Sequence, residues 1–211
     1  MNDRAAMNTR SIAIITTFTA LCIALVPIRI PTLYWPGFYY YFWEIPIVAA
    51  FLLFGFKVAF SISVLSGVAK LVFSPGQAPL LGFITQFLPL LTMLLGIYLA
   101  QKLIQSRVSN GKSISAARAT IYFTTLGVAV RAGIMPFIDY AQYRFLFPLF
   151  LGRDFAQAYI LALMPGIVLF NILVPLYGVS IGFLVANTVG KNLKTGTKLQ
   201  DAANSKFVLS Q

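Results

Sequence analysis

The sequence predicts an all-α integral membrane protein, and three observations carry that expectation: high apolar content, few charges, and uncharged runs of spanning length. Hydrophobic residues fill 59% of the 211 positions and charged residues only 10%. A soluble domain of this size would hold more apolar surface than it could bury, so lipid has to be the solvent. The 16 Lys and Arg outnumber the 5 Asp and Glu. In a membrane protein such an excess collects on cytoplasmic loops, which makes nucleic acid a poor account of the +11 charge. Cys22 is the single cysteine and there is no histidine. An internal disulfide is therefore excluded, and the common metal clusters and Ser/His/Asp or Cys/His groupings cannot be assembled. Neither enzymatic activity nor a cofactor is expected.

The spans follow in order. Arg4 and Arg10 precede an apolar run, as in a signal peptide, but the run over 11–28 reaches spanning length and further hydrophobic segments follow it. It reads as a retained first helix, broken at Pro27 and Pro31. Residues 29–43, rich in aromatics with Pro31, Pro36 and Gly37, read as a loop whose rings form an interfacial belt or fold over a pocket. The stretch 45–73 is interrupted by Lys57 and Lys70, and is either one strained span or two short helices turning at Gly55. Residues 80–100 and 119–138 are clear spans, the second carrying Arg131 alone. Residues 138–158 read as a second amphipathic loop. Residues 156–188 are uncharged, long enough for one tilted helix with Pro165 and Pro175 inside it.

Charge placement decides the ambiguous stretch. With two helices over 45–73, six spans put Arg4, Arg10, Lys57, Lys102, Arg107, Lys112, Arg118 and the four tail lysines on one side, leaving five basic residues elsewhere. The expectation is six transmembrane helices in one domain, 1–190, with both termini cytoplasmic and a polar, disordered tail over 191–211. Loops 29–43, 74–79 and 138–158 then face outward, and the protein is a multi-pass protein of the cell membrane.

Ionisable groups inside spans cost about 2.5–3.5 kcal/mol each at the bilayer centre, so those present need a reason. Arg131 is the sharpest: a functional cation, or half of a buried ion pair that fixes packing, with Asp139 two turns further on. Lys70 either snorkels to the outer interface or faces inward to offer a cation to substrate. Glu44 suits the amino terminus of the second helix, and that electrostatic role is the simpler account of it. Asn171, in GIVLFNILVP, needs a hydrogen-bond partner and is expected to point inward. Ala20 and Ala24 lie four apart and share a face of the first helix, which suits either internal packing or close approach of another helix.

With these residues laid out, the chain resembles an S component of an energy-coupling factor transporter, most similar to the riboflavin-specific branch, over about residues 11–190. TALCIALVPIRIP matches the family's Ala-x-x-x-Ala patch, and EIPIVAAFLLFGFKVAFSISVLSGVAKLVF its short second and third helices. FIDYAQYRFLFPLF resembles an outer loop of riboflavin binders, and GIVLFNILVPLYGVSIGFL their Pro-Phe-Asn stretch. Three departures stand out: Asp139 replaces the usual Asn, the proline before Phe170 is missing, and the first loop is unusually rich in Tyr and Trp. The resemblance implies a substrate-binding subunit of an ATP-driven importer that captures a vitamin, riboflavin favoured. Its partners would be a transmembrane coupling subunit, met through Ala20 and Ala24, and two ATPase subunits. The aromatic rings of Tyr34, Trp35, Tyr39, Tyr40 and Trp43 would stack on a flat heterocycle, oriented by Asp139, Tyr140 and Asn171, while Lys70 and Arg131 would accommodate a carboxylate or phosphate. The alternatives are a membrane scaffold or assembly protein, and a stand-alone secondary carrier.

Overall fold

A computed structural model describes residues 9–32, 39–73, 79–111, 114–152 and 154–193. Tyr34 and Trp35, nearly all of the 74–79 loop and the tail beyond 193 lie outside the described residues. The first helix, α1 (Thr9–Leu25), stops short of the expected boundary. Pro27 has no N–H to continue it, and the chain turns through Val26 and Ile28, whose N–H groups donate to Ile23 and Leu25 carbonyls at 3.1 Å each. Part of the expected loop is a short antiparallel hairpin: β1 (Arg29–Pro31) pairs with β2 (Tyr39–Tyr41), Ile30 opposite Tyr40.

The ambiguous stretch resolves into two helices, α2 (Glu44–Phe54) and α3 (Phe56–Phe73). Gly55 between them has φ 89° and ψ 178°, a backbone conformation that side-chain-bearing residues avoid, and its N–H closes α2 on the Phe51 carbonyl at 2.8 Å. Helix α4 (Pro79–Ser109) continues nine residues beyond the expected end at 100, through Gln101, Lys102 and Gln105. The polar residues there hold a helix end that projects past the apolar span.

Helix α5 (Ala116–Ala141) corrects the expectation of an outer loop over 138–158. It passes without a break into a π turn (Gln142–Leu146) and then α6 (Phe147–Leu151), so the chain stays helical to Leu151. Proline explains the change of pitch. Pro148 cannot donate and its ring crowds the carbonyl four residues back, and just before it the Phe147 N–H reaches back five residues to the Gln142 carbonyl. The last helix, α7 (Gln157–Leu193), contains Pro165 and Pro175.

Three helical stretches, Leu80–Ser109, Ala116–Leu151 and Gln157–Gly190, are long and apolar enough to cross a membrane. Helices α1 and α2 are apolar but shorter, at 17 and 11 residues. Length and composition thus mark three crossings among the described residues, where six were expected.

The core forms around α2. Nine of its eleven residues, Glu44, Pro46 and Ile47 to Leu53, are buried, as a helix apolar on all sides must be. It packs on α1, α3 and α7, while α5 lies between α4 and α7. Glycines permit close approaches between helices. A Cβ on Gly96 would overlap the backbone of Leu126 and Gly127, so α4 and α5 meet main chain to main chain there; a Cβ on Gly182 would meet the Val48 side chain at 2.7 Å, between α7 and α2. Gly96→Ala is expected to lower stability by about 1–3 kcal/mol through overpacking. Gly133→Ala, with nothing within 4 Å of its Cβ, should be neutral or slightly stabilising. Thermal unfolding of both variants in detergent checks the contrast.

Candidate functional site

One stripe of α5 supplies the inward side chains. Thr124, Gly127, Arg131 and Met135 recur at three- and four-residue spacing and are all buried. Arg131 is 1% exposed, the largest fully buried side chain among the described residues. A guanidinium so placed must have its charge matched and its donors filled. Its Nη1 donates to Glu44 Oε2 at 2.7 Å and lies 3.9 Å from Met93 Sδ, and its Nε donates to Asn171 Oδ1 at 3.1 Å. Glu44 is itself buried, at the first position of α2.

Asn171 extends the chain of contacts. With Oδ1 facing a donor-only guanidinium, its Nδ2 is left to donate, and does so to Asp139 Oδ2 at 3.1 Å and to the Ile167 carbonyl at 3.0 Å. The result is a continuous polar path, Glu44 to Arg131 to Asn171 to Asp139, joining α2, α5 and α7. Asp139 does not pair directly with Arg131; the amide of Asn171 bridges them. The other carboxylate oxygen of Asp139 takes no hydrogen bond from the described residues.

Of the two placements open to Lys70, the structure takes the inward one. Its Nζ donates to Gln86 Oε1 at 2.9 Å and sits 2.9 Å from the centroid of the buried Trp43 ring. A cation on an indole face removed from water is stabilised by roughly 2 kcal/mol or more. Lys70 and Arg131 are therefore both engaged by the protein's own groups.

The hairpin reaches the same region from above. Tyr40 stacks on Phe170 at 5.5 Å and meets Tyr177 edge-on at 6.2 Å, while Tyr177 donates its hydroxyl to the Tyr41 carbonyl at 2.8 Å. Phe170 precedes Asn171, so Tyr40 lies beside the polar path. Tyr39 points the other way, as alternation along a strand requires, and its ring lies 4.6 Å below the Arg29 guanidinium. Tyr140 is half-buried on α5, about 100° around the helix from Asp139. Ala20 and Ala24 are both exposed on α1, on the side away from buried Cys22.

The sequence expectation missed Glu44 as the partner of Arg131, having read it as a helix-terminal charge, and missed Gln86 and Met93 altogether. A signal for Glu44 exists: it is the chain's one glutamate and precedes a fully apolar run. An acid in that position calls for a cation, and Lys70 and Arg131 each lie within otherwise apolar runs. Among the described residues, no three His, Cys, Asp or Glu side chains are grouped to hold a metal ion.

No protein-family model matches this chain, and no curated protein does. Among solved structures it is similar to the S component of a bacterial ECF transporter, known from work on that protein's structure and mechanism. The TM-score is 0.69 at 20% identity, covering 88% of this chain and 98% of that one. The fold is therefore shared along nearly the whole length of both.

Removing one partner of the buried pair should be far worse than removing both. Arg131→Met alone is expected to lower stability by about 3–5 kcal/mol, because Glu44 is left charged and buried. Arg131→Met combined with Glu44→Leu should recover much of that loss, as read by thermal unfolding in detergent.

Proposed function

We propose that this chain is a substrate-capture subunit of an energy-coupling factor importer, binding a vitamin, with riboflavin favoured. The observation that carries the proposal is the polar path from Glu44 to Asp139, set beside Tyr40 and Trp43 within a fold shared with an S component. Aromatic faces next to a few fixed polar groups are what orients a flat heterocycle. In this proposal Tyr40 and Trp43 contribute rings, Asn171 and Asp139 contribute hydrogen bonds, and the hairpin closes over the ligand. Tyr39 and Tyr140, which face away from the path, take a peripheral part. Arg131 and Lys70 hold the site together and do not grip an anion.

The subunit carries out no chemistry on its substrate. Transport energy comes from ATP hydrolysed by two partner ATPase subunits and reaches this chain through a transmembrane coupling subunit that docks on Ala20 and Ala24. The exposure of both alanines on α1 supports that face, since small residues let helices approach closely. Six crossings of the plasma membrane with cytoplasmic termini complete the proposal, supported by the basic residues gathered at Lys57, the 102–118 segment and the two ends. A scaffold without ligand has one observation in its favour: the cations are satisfied internally.

Purified chain should quench added riboflavin fluorescence at submicromolar concentration, and failure to bind any member of a small vitamin panel favours the scaffold. Ala20→Trp and Ala24→Trp should each abolish uptake in cells while binding stays intact, and simultaneous loss of both activities would count against a separate docking face. For topology, Lys57→Cys should react with a membrane-impermeant thiol reagent only from the cytoplasmic side. The native Cys22, 0% exposed, supplies a quiet background.

A further inference from the structure

The inward stripe of α5 does not end at Asp139. Gln142 lies eleven residues beyond Arg131 and seven beyond Met135, on the same face, at the first position of the π turn. It is 5% exposed, and its Nε2 has no hydrogen-bond partner among the described residues. A buried donor left without an acceptor is unfavourable, and most such groups in folded proteins are satisfied. One turn back, Asp139 has an oxygen that takes no protein hydrogen bond. Residues three apart on a helix have their Cβ atoms about 5–6 Å from each other. A buried donor without a partner and a half-buried carboxylate oxygen that takes no protein hydrogen bond thus stand side by side at the end of the polar path, on a turn that packs on α7, which carries Asn171.

The π turn fixes this placement. One extra residue in the turn changes the register of everything after it, so Gln142 is the last side chain of the Arg131 stripe. Charge narrows the ligand further. Arg131 is matched by Glu44 and Asn171, and Lys70 by Gln86 and Trp43. With Asp139 included, the cluster holds two cations and two carboxylates, and an anionic ligand would find neither cation unengaged. We propose that Gln142 is a ligand-contacting residue that acts as a pair with Asp139 to read the lactam or imide edge of an uncharged heterocycle. A ring N–H donates to Asp139, and the adjacent ring carbonyl accepts from Gln142 Nε2. This rests on the site being a vitamin-binding one, and it adds a residue and a discriminating edge to it.

The test uses the full chain in detergent, with riboflavin and its N3-methyl derivative as probes. Methylation removes the one N–H of the imide edge. Wild type should bind riboflavin at least tenfold more tightly than the methylated form. Gln142→Met, which keeps the side-chain volume, and Gln142→Leu should each weaken riboflavin binding by roughly tenfold, the upper range for one neutral hydrogen bond. The unliganded thermal midpoint should hold or rise, because an unfilled donor has been replaced by apolar atoms. A purely structural glutamine would behave otherwise: its replacement would lower that midpoint and leave the preference for the unmethylated ring unchanged. Wild-type affinity in Gln142→Met, or equal binding of both probes by wild type, overturns this inference and leaves the vitamin proposal standing. No binding of riboflavin by wild type overturns this inference, and no binding of any member of the vitamin panel overturns the vitamin proposal with it.

Discussion

The polar contacts between α2, α5 and α7 are arranged around one buried guanidinium. Arg131 is permanently charged and almost wholly enclosed, so its surroundings have to provide a counter-ion and acceptors in fixed directions. Glu44 gives the first from α2, and Asn171 gives an acceptor from α7. Three helices are thereby held in one register, because moving any of them by a turn would strand a charge in a low-dielectric interior. Hydrophobic packing alone imposes no such demand in a membrane, where lipid tails are as apolar as leucine. The polar path therefore supplies specificity that the apolar faces lack.

Below that path the structure solves a different problem, which is how closely helices can lie. Gly96 lets α4 rest on the α5 backbone, and Gly182 lets α7 accept Val48 of α2. Close approach raises dispersion contact, the main attraction left between helices in lipid. A hydroxyl pair adds to it, Thr124 and Ser180 standing 3.2 Å apart between α5 and α7. The Gly96 and Gly182 contacts are thus held by shape, and the Arg131 path by charge.

Much of this was legible in the sequence, for reasons that particular residues make plain. The break between α2 and α3 at Gly55 was legible because two helices there, and not one, gather most of the basic residues on one side, and the break is there. Arg131 stood out because a lone cation in an apolar run has few bland explanations. Its partner did not stand out, since 87 residues separate it from Glu44 and helical periodicity reports a face, never the residue across from it. The continuation of α5 to Leu151 was hidden by composition: charges, a proline and aromatics over 138–158 resemble a loop, while the π turn absorbs the proline without ending the helix. Gln142 was hidden with it, because a residue assigned to a loop has no face.

The same geometry separates parts that hold still from parts free to move. Glu44, Arg131, Asn171 and Asp139 bind three helices into one unit by charge-assisted hydrogen bonds, each stronger than a neutral one. The hairpin meets α7 through contacts that include the Tyr40 ring on Phe170 and Tyr177 and a neutral hydrogen bond from Tyr177 to the Tyr41 carbonyl. Such contacts are worth about 0.5–1.5 kcal/mol each. The proposed capture role needs that contrast, since a ligand would have to pass the covering element without disturbing the groups that recognise it. If the hairpin lifts, Tyr40 leaves Phe170 while Asn171, the next residue, keeps its bonds to Arg131, Asp139 and Ile167. Recognition would then be set before closure, and closure would add the aromatic face to a polar floor already in place.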